Sequence, residues 1–352
     1  MNEHTALSGS KRSLFGRLAR FFLKTLGAVF ALIVLAIVVL NIYLSTRPTP
    51  RTVRPAGTIK VPAPFRVGRP FIDYMTISGQ RLYAGYASAG LVGVIDMTTG
   101  QPAGTVAGFG RTHGIAVVAD RGLGFASDSG DNTVGVFDLK TQQLLQKIPA
   151  GPDTDAIIYD EKLNLVHAGN HDGKTATLID AATLKVVANV QLGGEPEYPQ
   201  ADPATGVIYQ NLEDTSELIV VDPRKQEVTH RYKLAPCEGP TGLALDAANH
   251  RLFIACRSKH LVVLNSDTGE IVATVPIGAG VDGVGYDPAL RRVYTANAAG
   301  SMTVIQQDSA NQYRVLENAA THFGGHSLVI DPVTHRIYIA YFGSIAVYDV
   351  LP

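Results

Sequence analysis

The feature that most constrains the fold is an internal repeat with a period of roughly 42 residues, within the range of blade and solenoid repeats. Each copy carries an aromatic or imidazole side chain in a short apolar segment, at Tyr83, Phe125, His167, Tyr209, Phe253, Tyr294 and Tyr338. Each copy also has a polar residue that closes the next apolar segment, at Asp96, Asp138, Asp180, Asp222, Asn265, Gln306 and Asp349. The markers therefore indicate seven copies of one structural unit.

The sequence between these markers is typical of β-strands. Short β-branched segments such as LFIAC, LVVLN and IVATVPI are separated by turn clusters such as DAANHR and SDTG, which gives four strands in each unit. A lone four-stranded sheet cannot bury both of its faces, whereas seven sheets packed radially bury them against one another. The sequence therefore predicts an all-β, seven-bladed β-propeller.

The two ends of the repeat region predict how the ring closes. The last unit ends after its third strand, at Asp349, and the segment Gly57 to Pro70 near the N-terminus resembles the fourth strand of an earlier unit, Gly269 to Val281. We expect this N-terminal strand to complete the last blade, so that the propeller spans residues 57–352.

A short motif within the repeats resembles a known family. RVYTAN (Arg292 to Asn297) is similar to the signature of the YVTN-repeat, YncE-like bacterial propellers, and HAGN and IYQN resemble degenerate copies of it. The resemblance covers about residues 57–352 and implies the propeller fold and a periplasmic or surface-exposed location. It implies no particular activity, because the signature residues build the blades.

An apolar segment precedes the repeats. Residues Thr25 to Leu44 contain no charge and are long enough to cross a bilayer as a helix. Basic residues are more numerous before this segment than after it, which predicts a cytoplasmic N-terminal tail (1–24), a transmembrane helix (25–44) and a Pro/Arg-rich linker (45–56). The propeller would then lie in the periplasm or outside the cell. A cleaved signal peptide is the alternative, although its usual cleavage pattern is not evident.

Charge and cysteine content limit the function classes. The formal net charge is −1, so the chain lacks the basic surplus that favours nucleic-acid binding. Its two cysteines, Cys237 and Cys256, have no zinc-binding spacing. They form either one disulfide, which the expected blade geometry permits, or two free buried thiols.

Aligning the seven copies predicts a set of polar residues at one mouth of the central channel. The loop that enters each innermost strand supplies one residue, and we call this set the channel-mouth ring: Asp73, His113, Asp155, Glu197, Thr241, Asp282 and His326. Phe71 is the ungapped alternative to Asp73. Because two imidazoles and a carboxylate are a known metal-ligand set, His113, His326 and Asp73 are candidate ligands of a divalent metal ion. Water molecules that solvate the channel mouth are the alternative explanation of these polar residues.

A second group of residues is expected around the ring. The loops between second and third strands carry Asp128, Asn170, His171, Lys174, Glu213, Arg257 and His260, and Arg111 and His322 precede first strands. Three functions fit this face: a module that binds a small molecule, glycan or protein; a metal-dependent enzyme of the lyase or lactonase type; and a structural partner in a membrane complex. No GxSxG, P-loop or HExxH motif assigns a catalytic residue.

Overall fold

The structure, a computed structural model, describes the backbone of residues 9–45, 51–61 and 70–352, and the side chains of residues 21–39, 51–61 and 70–352. Two compact units divide the chain, Met1–Thr49 and Pro50–Pro352. The first contains helix α1 (Gly9–Ser45), with an apolar span at Phe21–Val39 of mean hydropathy 2.6. By length and composition this helix can serve as a single-pass anchor or as a signal sequence. Residues 1–8 of the predicted tail and 46–50 of the predicted linker lie outside the described residues.

The second unit is built almost entirely from short strands. In chain order they are β1 Val53–Lys60, β2 Met75–Ser78, β3 Arg81–Tyr86, β4 Leu91–Asp96, β5 Gln101–Ala107, β6 Thr112–Val118, β7 Leu123–Asp128, β8 Thr133–Asp138, β9 Leu144–Pro149, β10 Thr154–Asp160, β11 Leu165–Asn170, β12 Thr175–Asp180, β13 Lys185–Gln191, β14 Pro196–Ala201, β15 Ile208–Leu212, β16 Glu217–Asp222, β17 Glu227–Lys233, β18 Pro240–Asp246, β19 Arg251–Cys256, β20 His260–Asn265, β21 Ile271–Pro276, β22 Val281–Asp287, β23 Arg292–Asn297, β24 Ser301–Ser309, β25 Gln312–Ala320, β26 Gly325–Ile330, β27 Ile337–Tyr341 and β28 Ser344–Val350. Short 3₁₀ turns at Ala87–Ala89 and Ala119–Arg121 interrupt two of the connections.

These strands form seven four-stranded antiparallel sheets. Six sheets use four consecutive strands, starting with β2–β5 and ending with β22–β25, and each is one blade. The innermost strands contact one another in sequence, and β2 contacts both β6 and β26, so the sheets close into a ring. The predicted all-β, seven-bladed propeller is therefore confirmed.

The seventh blade joins the two ends of the unit. Its strand order is β1-β28-β27-β26, and β1 pairs with β28 from Val53↔Val350 to Lys60↔Ser344. The predicted closure by an N-terminal strand is confirmed, but the strand begins at Val53 rather than at Gly57. Val53 is buried in a core cluster with Tyr348, while a bulge between Pro55 and Gly57 accommodates the proline on this edge strand. Residues 62–69 of the predicted closing segment lie outside the described residues.

The two repeat markers have different structural tasks. The aromatic position is buried in every blade, and in the third blade His167 is fully buried and bonds to Gln210. The polar position accepts hydrogen bonds from backbone N–H groups two or three residues later, as Asp138 does from Lys140 and Thr141. Gln306 and Asp349 differ: the Gln306 amide donates to the Leu290 and Arg291 carbonyls, and the Asp349 carboxylate pairs with Arg54 and Arg336.

At the channel-mouth end of each blade, the second strand is fastened to the loop before the first strand. Asn170 accepts a hydrogen bond from the Gly151 N–H (3.0 Å), as Asp128 does from Gly110. In the fifth blade Cys256 takes the same strand-end position and forms a disulfide with Cys237 in the entering loop, with their Cα atoms 5.5 Å apart. In the seventh blade His322 stacks on Tyr341 at 4.1 Å. One architectural contact is thus made by three kinds of chemistry.

Candidate functional site

The channel-mouth ring is positioned by a bulge that recurs in the innermost strands. In six blades the ring residue is the second residue of its strand, and the pairing register with the next strand shifts at that point. Bulges re-aim side chains and interrupt the ladder. Glycine follows the ring residue in three blades, since neighbouring strands approach closely there: a Cβ on Gly283 would lie 2.6 Å from the His326 carbonyl oxygen.

Asp73 takes the ring position in the first blade, just before β2. Its N–H donates to the Gly85 carbonyl (2.8 Å), and its own carbonyl accepts a hydrogen bond from the Ser327 hydroxyl of the seventh blade. Phe71, the alternative for this position, stacks face to face on His326 with ring centroids 4.6 Å apart. Asp73 therefore supplies the carboxylate of this blade, and Phe71 supports a neighbouring imidazole.

Three ring residues from consecutive blades form one cluster. His113 Nδ1 hydrogen-bonds with an Asp73 carboxylate oxygen and lies 3.2 Å from Asp155 Oδ1. The ligand-type atoms of Asp73, His113 and Asp155 lie within 4.8 Å of one another. The other imidazole nitrogen of His113, Nε2, lies 2.8 Å from the Ser129 hydroxyl. The ring thus brings two carboxylates to one nitrogen of an imidazole whose second nitrogen is already engaged.

His326 lies beside this cluster. Its Nε2 is 3.9 Å from Asp73 Oδ1, beyond hydrogen-bond distance, and among the described residues it has no hydrogen-bond partner. The residue is 7% exposed. Of the predicted set, Asp73 and His113 therefore lie together with Asp155, and His326 lies next to Asp73.

The remaining acidic residues of the ring lie around Tyr74, which the repeat alignment did not select. The Tyr74 hydroxyl donates to Glu197 Oε2 at 3.3 Å, and its ring lies 5.4 Å from that of Tyr198. A signal for both tyrosines exists in the sequence. The position after the ring residue is small in five copies (Gly114, Ala156, Gly242, Gly283 and Ser327) and tyrosine only in these two.

Thr241, the ring residue of the fifth blade, has a structural role. The Thr241 hydroxyl donates to the backbone carbonyls of Ala255 and Val281, each at 3.4 Å, and the residue is 1% exposed. Its side chain belongs to the channel wall because its only donor serves the backbone. The fifth blade thus adds no charge to the ring.

Three cations around the mouth form ion pairs, and a fourth, Arg111, lies close enough to His113 to oppose its protonation. Lys147 contacts Asp128 and Asp131, and Lys174 contacts Glu195 and Asp214. Arg257 forms an ion pair with Glu213. Among the described residues, the deeper carboxylates lie near imidazoles: Asp155 near His113, Asp282 near His326, and Glu197 within 4.8 Å of a ring nitrogen of His171.

Burial and mutual repulsion raise the proton affinity of these carboxyl groups. Burial and then the charge of Asp73 raise the pKa of Asp155 to about 7. Burial, Asp155 and a hydrogen bond with Glu213 raise the pKa of Glu197 well above its usual value, and burial also raises the pKa of Asp282.

The basic and phenolic groups respond to the same field. Burial alone would lower the pKa of His113, but its hydrogen bond with Asp73 and the charge of Asp155 outweigh burial and raise it. Burial and the surrounding carboxylates raise the pKa of Tyr74 well above its usual value. Every shift favours a bound proton, because burial disfavours the charged carboxylates and phenolate and because the carboxylates repel one another and attract the His113 proton.

A cavity of about 540 Å³ lies along the channel beneath this site. Tyr74, Tyr198 and Asp282 line it next to the ring. The remaining wall is mainly apolar, with Leu243, Val284 and Leu328 among its side chains, and also contains the polar residues Thr76, Gln200 and Asp331. This volume is typical of small-molecule sites, which combine an apolar wall with a few polar groups.

Comparison with known proteins adds no relative. A scan against protein-family models finds no match, and a search of curated proteins finds none. The function is therefore inferred from the fold and from the ring.

Proposed function

We propose that this chain is a binding module, tethered to a membrane through its N-terminal helix, whose channel takes a small ligand with an apolar body and a positively charged amine. The observation that carries this proposal is the group of buried carboxylates, with raised pKa values, at the entrance to an apolar cavity. A cation in this position offsets the burial, and the repulsion among carboxylates, that otherwise keep protons on these groups.

Glu197 and Asp282 are the residues that we expect to hold the amine. Asp282 lines the cavity directly, and Glu197 accepts a hydrogen bond from Tyr74, which also lines it. The faces of Tyr74 and Tyr198 offer cation–π contacts to an ammonium group, and the apolar wall accepts the body of the ligand. An anionic ligand of the same shape would meet the same carboxylates and be repelled.

We also propose that the chain is a YVTN-repeat, YncE-like propeller that lies in the periplasm or outside the cell. RVYTAN forms strand β23, as a blade-building motif does, and supports membership of the YVTN-repeat, YncE-like propellers. The basic residues before the apolar span support a cytoplasmic N-terminus and a propeller in the periplasm or outside the cell. The disulfide between Cys237 and Cys256 fits such an oxidising location.

Matched ligands test the binding proposal. Phenethylamine should raise the melting temperature of the full chain in detergent, whereas phenylacetate, a similar molecule of opposite charge, should not. Glu197→Gln and Asp282→Asn should each reduce the phenethylamine shift, because each removes one negative charge from the site. Asp267→Asn, a change at an exposed turn carboxylate, should leave it intact.

The proposal is wrong if phenethylamine gives no shift in the wild-type protein. It is also wrong if phenylacetate gives an equal shift, because the site would then not select for charge.

A further inference from the structure

We propose that Asp73, His113, Asp155 and His326 bind one divalent transition-metal ion. This inference rests on the proposed function, because the ion would occupy one side of the same ring and leave Glu197 and Asp282 for the amine. The four side chains come from the first, second, third and seventh blades, which are neighbours around the ring. No single strand could supply this set, so only the closed propeller forms the site.

The spacing of the donor atoms suits a metal ion. Two ligand atoms on a tetrahedral ion with bonds of about 2.1 Å lie roughly 3.4 Å apart. The distance from His113 Nδ1 to Asp155 Oδ1 is 3.2 Å, and that from His326 Nε2 to Asp73 Oδ1 is 3.9 Å. The donor atoms of Asp73, His113 and Asp155 already lie within 4.8 Å of one another, and His326, whose Nε2 faces Asp73, completes the set when its side chain moves toward the other three.

Two buried polar atoms without hydrogen bonds, on His326 and Asp155, support a cation-binding site. Among the described residues, His326 Nε2 is buried without a hydrogen-bond partner, and Asp155 Oδ1 forms no hydrogen bond although it lies 3.2 Å from His113 Nδ1. Buried polar atoms without partners are uncommon in folded proteins, and a bound ion or water is one standard explanation. A cation accounts for both atoms at once, since it accepts electron pairs from a nitrogen and from an oxygen.

The supporting contacts are those of a metal ligand shell. The Ser129 hydroxyl engages His113 Nε2, so Nδ1, whose proton a metal ion would replace, faces the Asp73 and Asp155 carboxylates; metal-binding histidines commonly use their second nitrogen in this way. Phe71 fixes the plane of the His326 ring, and the Ser327 hydroxyl holds the backbone of Asp73. The site is thus oriented before any ion arrives.

The donor types select the class of metal. Imidazole nitrogen suits zinc, iron, nickel and copper, whereas calcium and magnesium prefer oxygen throughout. Two imidazoles with two carboxylates therefore favour a transition metal. A neighbouring group, His171, Glu197 and Glu213, is a weaker candidate because Glu213 is paired with Arg257 and Glu197 with Tyr74.

Calorimetry on the full chain tests the site. The protein is purified in detergent through a tag without histidine and stripped with EDTA, then titrated with Zn²⁺, Mn²⁺ or Ca²⁺. We expect one Zn²⁺ or Mn²⁺ per chain, with weaker binding of Ca²⁺. His113→Ala combined with His326→Ala should weaken Zn²⁺ binding by at least about 100-fold, and Ser129→Ala, a milder change, by about 10-fold.

The controls use a histidine–aspartate pair elsewhere in the protein. His250 and Asp267 lie 3.2 Å apart at exposed turns, and His250→Ala and Asp267→Asn should leave Zn²⁺ affinity unchanged. Failure of the wild-type protein to bind Zn²⁺ or Mn²⁺ overturns the metal site. So does equal Zn²⁺ affinity in folded His113→Ala/His326→Ala protein.

The phenethylamine assay separates the two proposals. If metal binding is absent but the charge-selective shift remains, the metal site is wrong and the binding function stands. If both are absent, both proposals are wrong.

Discussion

At the scale of single residues, the same repeat position supports different chemistry according to its surroundings. The aromatic position holds Phe125 in the second blade, Phe253 in the fifth and His167 in the third, all fully buried. Burial lowers the pKa of His167 to about 4, with only the hydrogen bond to Gln210 opposing it. The imidazole is therefore neutral in the folded protein at pH values well above 4, and it behaves as a core side chain.

This burial predicts a pH dependence of stability. The unfolded chain takes up a proton at His167 near the model value of 6.5, but the folded protein does so only near pH 4. Protonation thus favours the unfolded chain as the pH falls through this interval, and the group should cost about 3 kcal/mol of unfolding free energy between pH 6.5 and 4. In His167→Phe that share of the acid sensitivity should disappear.

Urea unfolding at several pH values measures the effect. The difference between wild type and His167→Phe should grow steadily as the pH falls from 6.5 to 4. Parallel pH profiles for the two proteins would show that the buried imidazole is not the group responsible. His250→Phe, at an exposed position, serves as the control.

At the scale of elements, the closing strand β1 determines whether the ring is complete. Ile59 faces Ile345 across the strand pair and is buried, in a core cluster that also contains Leu82 of the first blade. The strand therefore connects the last blade to the first through side-chain packing as well as through backbone hydrogen bonds. Loss of this packing should therefore lower the free energy of unfolding of the whole propeller.

Ile59→Ala tests the closure. Removing these buried methyl and methylene groups should lower the free energy of unfolding by about 2–5 kcal/mol, as in other protein cores. Lys60→Ala, at the next and exposed position, should change it by less than about 0.5 kcal/mol. Denaturant unfolding followed by circular dichroism gives both values. Equal stability of the two variants would mean that β1 contributes no packing to closure.

The sequence predicted most of the strands and ring positions, but not all of them. The repeat positions predicted the blades and the ring, because side chains at equivalent positions of equivalent strands face the same way. The sequence did not predict the start of β1 at Val53, since Pro55 and the nearby arginines are also typical of a linker. It missed Tyr74, and it did not indicate that the Thr241 hydroxyl serves the backbone, because hydrogen-bond partners depend on packing between blades.

At the scale of the whole molecule, the chain combines a propeller with one helix that is able to cross a membrane. The apolar span Phe21–Val39 contains Lys24 as its only charged residue, and the side chains described in it are exposed within their own unit. A helix of this composition is stable in lipid, where it satisfies its own backbone hydrogen bonds. Its behaviour in membranes therefore distinguishes an anchor from a signal sequence.

Carbonate extraction tests the anchor. The full-length protein should remain in the membrane pellet, because the apolar helix resists extraction, whereas a chain that begins at Arg51 should be soluble. Beginning at Pro55 would be unsuitable, since it removes the first residues of β1 and the Thr52 carbonyl that accepts from Leu351. A mature protein whose N-terminus lies after Leu44 would identify a cleaved signal sequence instead.

The position of β1 in the seventh blade has a consequence for biosynthesis. Among the described strands, β1 is translated first and its partner β28 last, with Val53 paired to Val350. At about 5–20 residues per second, translation of the roughly 300 residues between them takes about 15–60 s. During that interval six blades can form while β1 has no partner, and an unpaired strand can associate with other chains. The nascent protein therefore exists for a time as an incomplete, open propeller. A holdase chaperone could protect this state until β28 pairs with β1.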